Sequence, residues 1–298
     1  VLIVDKPAGP TSSDVVQAIR RVAGVRRAGH TGTLDPFATG VLVVCLGRAT
    51  ALAAHLTDAD KAYRAVGRLG VVTDTGDRTG RVVGGSPPDA DSARRLEEAL
   101  PRFRGEFEQV PPAFSAKKIG GVRSYELARR GEDVPRRPVP VRVDRLDLVA
   151  WDGDRFTLEI RCAKGTYVRS LVQDLGEAAG CGATTEELVR TASGPFTLAQ
   201  AVPLAALADA AAVERRLVPL ADALPDWPAL ALGPDGLAAV GHGRAVGPPG
   251  FISEPPALPP GTNVRLVDAS TGELLALARW SPTGDPLAFP FRVFVSTP

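Results

Sequence analysis

Short apolar runs and alternating apolar and polar positions dominate the first two hundred residues, and both patterns are typical of β-strands. Two apolar runs, at residues 1–4 and 41–46, predict buried strands. Apolar side chains alternate with polar ones at residues 63–69, 139–143 and 156–162, which predicts strands with one buried face. The N-terminal part of the chain is therefore expected to contain several strands.

Helical spacing occurs between these strands. After the N-cap residues 11–14, apolar side chains recur at intervals of three and four residues, and Gly24 ends the predicted helix. Further helices are predicted at 48–57, at 90–100 and from 171 to 180. Because strands and helices do not alternate regularly, an α+β fold fits better than a doubly wound sheet.

The amino-acid composition of the sequence changes after residue 212. Three prolines punctuate residues 213–228, which we interpret as a linker between a body at 1–212 and a small unit at 229–298. Within that unit, two apolar segments at 264–267 and 274–280 flank a turn, which predicts a β-hairpin. The C-terminal unit is therefore expected to be rich in β-structure.

Composition narrows the class of protein. Of the 298 residues, 44% are hydrophobic and 23% are charged, as in ordinary globular proteins, and no apolar run is long enough to span a membrane. Cys45, Cys162 and Cys181 are widely spaced and form no CxxC pair, and the chain has only three histidines. This usage favours a reducing compartment over a disulfide scaffold and argues against a zinc site. We therefore predict a cytoplasmic protein without a bound metal.

Charge is unevenly distributed along the chain. The formal net charge is +1, yet residues 102–137 contain nine basic and five acidic side chains. Residues 201–298 contain six basic and nine acidic side chains. A local basic patch suits a polyanionic partner, although a solvated helix face would give the same pattern.

One glycine-rich stretch, residues 29–40, carries two candidate catalytic side chains, His30 and Asp35. The stretch ends where a predicted buried strand begins, and its glycines permit close backbone approach. Asp35 before a proline could equally be a turn carboxylate, and His30 an ordinary loop histidine. The sequence lacks the motifs of P-loop, dinucleotide-binding, zinc-protease and serine-hydrolase sites.

The stretch at 30–40, HTGTLDPFATG, resembles the signature of the bacterial tRNA pseudouridine-55 synthases, the TruB family. Similar motifs follow in family order and cover residues 1–200. They are VDKP with TSS at 4–13, DKAYR at 60–64, LG with TDTGD at 69–77, PPAFSA at 111–116, KGTYVR at 164–169, and GCGA with LVR at 180–190.

The resemblance implies a role for each matching residue. Asp35 matches the nucleophilic aspartate, Tyr63 the tyrosine that stacks on the target base, and Arg169 the arginine paired with the nucleophile. A second group matches substrate-binding positions: His30 near the flipped nucleotide, Asp77 acting with the tyrosine and arginine, Tyr167 and Leu188 lining the uridine pocket, and Lys6 and Lys118 contacting or supporting the RNA.

The resemblance also implies an architecture and a partner. We expect a pseudouridine synthase fold with a mixed, mainly antiparallel central sheet, followed by a small β-rich PUA-like C-terminal domain. The basic stretch 102–137 would be an insertion that closes over the T-arm of a tRNA. The implied reaction requires no cofactor, because the bond between C1′ and N1 breaks and the uracil rejoins through C5. A monomer is expected from the family.

A different class of function fits the same sequence less well. The chain could be an RNA-binding or tRNA-folding protein whose isomerase activity is secondary or lost. A pure binder would have no chemical reason to combine Asp35, Tyr63 and Arg169 in these motifs. A hydrolase is disfavoured because no second catalytic carboxylate is indicated.

Overall fold

The computed structural model describes residues 1–112, 118–119, 122–123, 137–282 and 287–294. The strands are β1 (Leu2–Lys6), β2 (Ala28–His30), β3 (Thr39–Leu46), β4 (Lys61–Leu69), β5 (Val72–Thr73), β6 (Val82–Gly84), β7 (Gly105–Gln109), β8 (Lys118–Ile119), β9 (Val122–Arg123), β10 (Val139–Asp152), β11 (Arg155–Cys162), β12 (Ala183–Ser193), β13 (Phe196–Thr197), β14 (Val202–Pro203), β15 (Ala229–Leu232), β16 (Asn263–Asp268), β17 (Leu274–Trp280) and β18 (Ala288–Val293). The α-helices are α1 (Ser12–Val22), α2 (Ala53–Asp58), α3 (Ser92–Ala99), α4 (Val168–Ala178), α5 (Ala210–Glu214) and α6 (Pro234–Gly241).

Ten of the described strands form one sheet. Its path runs β14–β1–β3–β12–β4–β11–β10–β7, with β2 beside β3 and β13 beside β12. The pairs β1–β14 and β3–β12 are parallel, and the other seven pairs of this sheet are antiparallel. The prediction of an α+β fold with a mixed, mainly antiparallel central sheet is confirmed.

Strand β12 lies at the centre of this sheet and was not predicted from the sequence pattern. Its buried positions include Thr184, Thr185 and Arg190, so apolar and polar residues do not alternate along it. In register, Arg190 faces Tyr63 of β4 on one side and Gly40 of β3 on the other. The missed strand therefore places an arginine beside Gly40, at the end of the glycine-rich stretch 29–40, and beside Tyr63.

Two smaller expectations also change. The polar, glycine-containing sequence of residues 26–39 predicts a loop, but this stretch contains β2, which pairs with the far end of β3. The helix predicted at 48–57 is divided into a 3₁₀ helix at Gly47–Leu52 and the short helix α2. The tighter first turn follows directly from β3 and changes the direction of the chain.

Two helices pack on the large sheet. Helix α1 begins at a capping box formed by Thr11 and Asp14, and its apolar face packs on β1 and β3. Helix α4 buries Leu171 and Leu175 against side chains of β11, including Leu158. Each helix thereby fixes the end of a loop or strand that borders the candidate site.

The C-terminal residues form a second sheet in the order β15–β16–β17–β18. This confirms the expectation of a separate β-rich C-terminal part. Residues 213–228, predicted as a linker, pack through Ala223 and Leu224 into a buried cluster that also holds Leu277 of β17. The domain boundaries remain predictions. In the part of the chain that the structure describes, no helix is long and apolar enough to cross a membrane.

Candidate active site

A cavity of about 580 Å³ opens between the loop that precedes β3 and the segment that joins β11 to α4. Side chains of β4 and β12 also line it. Of the residues that the sequence singled out, Asp35, Tyr63, Tyr167, Arg169 and Leu188 all lie on its wall. The fold therefore brings together residues from four distant stretches of the chain.

The backbone on both sides of Asp35 is tied to other elements. Ser12, buried at the start of α1, donates its hydroxyl to Leu34 O (3.1 Å) and accepts the Leu34 N–H (2.8 Å). Beyond Asp35, the Gly9 N–H donates to Pro36 O (2.8 Å). These bonds fix the loop and hold the Asp35 carboxylate at the cavity wall.

Asp35 and Arg169 form a two-pronged ion pair. Arg169 Nε donates to Asp35 Oδ2 (2.9 Å) and Arg169 Nη2 donates to Asp35 Oδ1 (3.1 Å). The Arg169 side chain is 3% exposed, whereas that of Asp35 is 32% exposed. The arginine is thus the buried partner, and the carboxylate keeps a face toward the cavity. Two parallel bonds orient the carboxylate more firmly than a single one would.

Asp77 lies behind Arg169. Its Oδ2 is 3.7 Å from Arg169 Nη1, which also donates to Thr75 O (2.6 Å). The other carboxylate oxygen accepts from the Thr75 hydroxyl (3.0 Å) and from Thr79 N–H (2.9 Å) and Oγ1 (2.5 Å). Asp77 is 4% exposed. Asp77 therefore contacts Arg169, and it is not among the described residues that line the cavity.

Tyr63, Tyr167 and Leu188 supply the less polar walls. Tyr63 is on β4 and Leu188 is on the neighbouring β12, so the two strands present both side chains to one space. Tyr167 precedes the first residue of α4. Burial raises the pKa of the Tyr63 phenol, and the nearby Arg190 guanidinium opposes that rise. The phenol is consequently held in its neutral, protonated form at ordinary pH.

Arg190 is a cavity-lining residue to which the sequence assigned no role. It is 2% exposed, and its guanidinium donates to the carbonyl oxygens of Val41 (2.7 Å), Gly32 (3.0 Å) and Thr33 (3.5 Å). These partners lie just before Asp35 and just after the loop. Through these carbonyl groups, Arg190 fixes the loop that contains Asp35. It also contributes positive charge to the cavity.

Lys61 is a second lining residue without an assigned role. Its ammonium donates to the carbonyl oxygens of Thr57 and Ala59 (2.5 Å each) at the end of α2. Burial, with a further contribution from the positive charge of Arg190, lowers the pKa of Lys61 to about 8. The sequence did contain a signal for Lys61. It lies in the DKAYR motif two residues before Tyr63, and residues two apart lie on the same face of a strand.

Like Asp77, two further predicted site residues, Lys6 and His30, are not among the described residues that line the cavity. Lys6 has no exposed surface, and its ammonium donates to Pro7 O (2.8 Å), Pro10 O (2.8 Å) and Pro36 O (3.2 Å). Burial lowers the pKa of Lys6 to about 8. The position of Lys6 thus suits loop support better than direct contact with RNA.

His30, on β2, is not among the described residues that line the cavity, and its Nδ1 accepts the Gly32 N–H (3.3 Å). Lys118 belongs to the short strand β8, which pairs with β9. The prediction for the rest of the insertion at 102–137 lies largely outside the described residues. Its described N-terminal part includes β7, which forms the edge of the large sheet.

Family models account for most of the chain. Residues 20–168 match the N-terminal domain of the TruB family pseudouridylate synthases. The chain belongs to this family. Residues 169–224 match the tRNA pseudouridylate synthase B C-terminal domain. The family prediction made from the motifs is therefore confirmed.

Individual members of the TruB family align over most of their length. The tRNA pseudouridine synthase B of Stutzerimonas stutzeri is 45% identical over 255 residues, which cover 84% of this chain and 83% of that protein. The enzyme of the same name from Pseudomonas fluorescens is 46% identical over 236 residues, 77% of each chain.

Solved structures agree with this assignment. An H/ACA RNP bound to a substrate RNA containing 2′-deoxyuridine matches with a TM-score of 0.75 and 26% identity, over 99% of this chain and 85% of that one. A Cbf5–Nop10–Gar1 complex matches with a TM-score of 0.74 and 28% identity, over 99% and 85%. The structural similarity thus covers both the large sheet and the C-terminal sheet of this chain.

Proposed function

We propose that this protein converts uridine 55 in the T-arm of tRNA to pseudouridine, with Asp35 as the nucleophile. The relatives named tRNA pseudouridine synthase B support tRNA as the substrate. The observation that carries the proposed chemistry is the Asp35–Arg169 pair at the wall of a cavity that Tyr63 also lines.

The reaction balances without an added group. The bond between C1′ and N1 breaks, the uracil turns, and a bond forms between C1′ and C5. The hydrogen on C5 leaves as a proton, and N1 ends with a proton in its place. C1′ is formally reduced and C5 is formally oxidised by the same amount, so the net oxidation state of the nucleoside is unchanged and the isomerisation requires no redox cofactor. A single carboxylate that forms and later releases a covalent bond is sufficient.

Arg169 would orient the nucleophile. The two parallel bonds from the buried guanidinium leave one orientation for the Asp35 oxygens. Asp77 and Thr75 also contact the Arg169 guanidinium, so the Asp35–Arg169 pair is positioned before the substrate binds. Such preorganisation contributes to catalysis because less reorganisation is needed during the reaction.

The uridine has to leave its stack to reach Asp35. Extruding a base costs a few kcal/mol, and stacking on an aromatic ring recovers about 1–3 kcal/mol. Tyr63 would supply that ring, with Tyr167 and Leu188 closing the sides. The cavity volume, about 580 Å³, falls within the range of small-molecule sites.

Positive charge around the cavity fits an RNA ligand. Arg169, Arg190, Lys61 and Lys164 are all on its wall, whereas Asp35 is the acidic residue on the described wall. A basic rim attracts a polyanion and weakens with added salt. We expect tRNA binding to have that salt dependence.

Mapping of the product tests the position and the role of Asp35 together. Wild-type protein and Asp35→Ala are each incubated with unmodified tRNA, and pseudouridine is located by chemical modification and primer extension. We expect a single new pseudouridine at position 55 with wild type and none with Asp35→Ala, while both bind tRNA within a few-fold of each other. Tight binding without pseudouridine from wild type would instead favour an RNA-folding protein.

A further inference from the structure

A buried glutamine links the edge of the large sheet to the start of α4. Gln109, the last residue of β7, is 1% exposed. Its side-chain Nε2 donates to Tyr167 O (3.1 Å), and its Oε1 accepts the Tyr167 N–H (2.8 Å). Both halves of the amide are therefore used on the backbone of one residue, as a neighbouring strand would use a peptide group.

The residue held in this way controls where α4 begins. Tyr167 is the N-cap of α4, its backbone is extended (φ −100°, ψ 108°), and its side chain does not cap the helix. Arg169 is the second residue of that helix. Because a helix is rigid over two residues, fixing the Tyr167 backbone also fixes the direction from which Arg169 approaches Asp35.

A second tie reinforces the first. Ser170, 4% exposed, donates its hydroxyl to Val110 O (2.9 Å). Gln109 itself pairs in the sheet with Val139, another cavity-lining residue. The first turn of α4 is thus attached to the end of β7 through Gln109, the last residue of that strand, and through Val110, which follows it.

We infer that Gln109 is a positioning residue for the isomerisation, acting through Tyr167 and Arg169. This inference rests on the proposed function. An apolar side chain of the same length would fill the space, but it would leave the Tyr167 N–H without its partner, and Tyr167 O would keep only the Leu171 N–H (3.1 Å). The end of β7 would then no longer fix where α4 begins, and the Arg169 guanidinium would shift relative to Asp35. Misplacement by about 1 Å costs about 100-fold in rate.

Two substitutions separate positioning from packing. Gln109→Met keeps the length and removes both hydrogen bonds. Gln109→Glu keeps the acceptor for Tyr167 N–H, but an ionised carboxylate repels Tyr167 O. When protonated, glutamic acid is nearly isosteric with glutamine and donates to that carbonyl again. Because burial raises the pKa of a carboxyl group, the protonated form becomes accessible near neutral pH.

The experiment measures kcat and KM for tritium release from tRNA whose uridines are tritiated at C5, from pH 6 to pH 8. We expect Gln109→Met to lose about 10- to 100-fold in kcat at every pH, with KM for tRNA within about two-fold of wild type. Relative to wild type, Gln109→Glu should recover activity as the pH falls. Gln200→Met is the control, since Gln200 is exposed and caps a 3₁₀ helix outside the cavity.

The outcomes divide cleanly. Gln109→Met and Gln109→Glu both within two-fold of wild type would overturn the inference. So would a Gln109→Glu defect that does not change with pH, because that indicates damage to packing alone. If Gln109→Met does not fold, the pH dependence of Gln109→Glu still decides. A wild-type protein that releases no tritium would contradict the proposed function itself.

Discussion

Replacement of Arg190 by methionine tests how the Asp35 loop is held. Methionine fills a similar space without charge or donors. The carbonyls of Val41 and Gly32, now bonded at 2.7 and 3.0 Å, would lose their donor, while the 3.5 Å contact to Thr33 is weak already. Each buried carbonyl left unpaired costs about 1–3 kcal/mol.

Part of this loss is recovered. Among the described residues, the polar partners of the buried Arg190 guanidinium are backbone carbonyls and the Tyr63 phenol and not carboxylates, so removal of the charge relieves an uncompensated desolvation cost. We therefore expect a net decrease of about 3 kcal/mol in the free energy of unfolding. At about 2–4 °C per kcal/mol, the melting temperature should fall by about 6–12 °C.

Thermal and urea unfolding of Arg190→Met measure this directly. Arg145→Met is the matched control, because the Arg145 side chain is 60% exposed and its bond to Asp147 is solvated. Because an exposed ion pair is screened by solvent, the melting temperature and the urea midpoint of Arg145→Met should equal those of wild type within error. Unchanged or increased stability in Arg190→Met would refute the idea that Arg190 fixes the loop.

Two further substitutions test other parts of the structure. Gly40→Ala should destabilise the fold by about 3 kcal/mol in urea unfolding, because Gly40 has φ +97° and an added Cβ would lie 2.3 Å from Arg190 O; a wild-type midpoint would contradict this. Burial, helped by Glu177, raises the pKa of Asp174 to about 6. Between pH 4 and 6 the folded protein holds a proton that the unfolded chain has lost, so wild-type stability falls as the pH rises through this window. Asp174→Asn should be more stable than wild type by about 1 kcal/mol at pH 7.5, after allowance for solvent screening, with the gain vanishing near pH 4. A gain that is independent of pH would contradict the raised pKa.

Local sequence patterns were sufficient for the elements that bury one clear face. The runs and alternations in β1, β3, β4, β10 and β11 identified those strands, because their inward positions are apolar. They were insufficient for β12, whose buried positions include two threonines and a charged arginine. A strand in the middle of a sheet can bury such polar groups only because its neighbours supply hydrogen-bond partners, which no local pattern shows.

The sequence predicted which residues belong to the candidate site better than it predicted how they are arranged. Motif similarity identified Asp35 and Arg169, which are 134 positions apart and meet only in the folded chain. It included Arg190, in the LVR motif, but gave it no role, and it did not include Gln109, because a charged or amide side chain on a strand is usually on the surface. Their importance comes from the backbone groups that they bind, and those groups are set by the tertiary fold.

Tritium release from tRNA whose uridines are tritiated at C5 tests the central proposal most directly, with Asp35→Asn compared to wild type. Formation of pseudouridine replaces the hydrogen at C5, so release reports the isomerisation itself. Asparagine keeps the shape and, through its single oxygen, one of the two bonds from Arg169, but it is a poor nucleophile. We expect stoichiometric release with catalytic amounts of wild type and none above background with Asp35→Asn. Release by a folded Asp35→Asn protein at a rate near wild type would contradict the role of Asp35 as nucleophile.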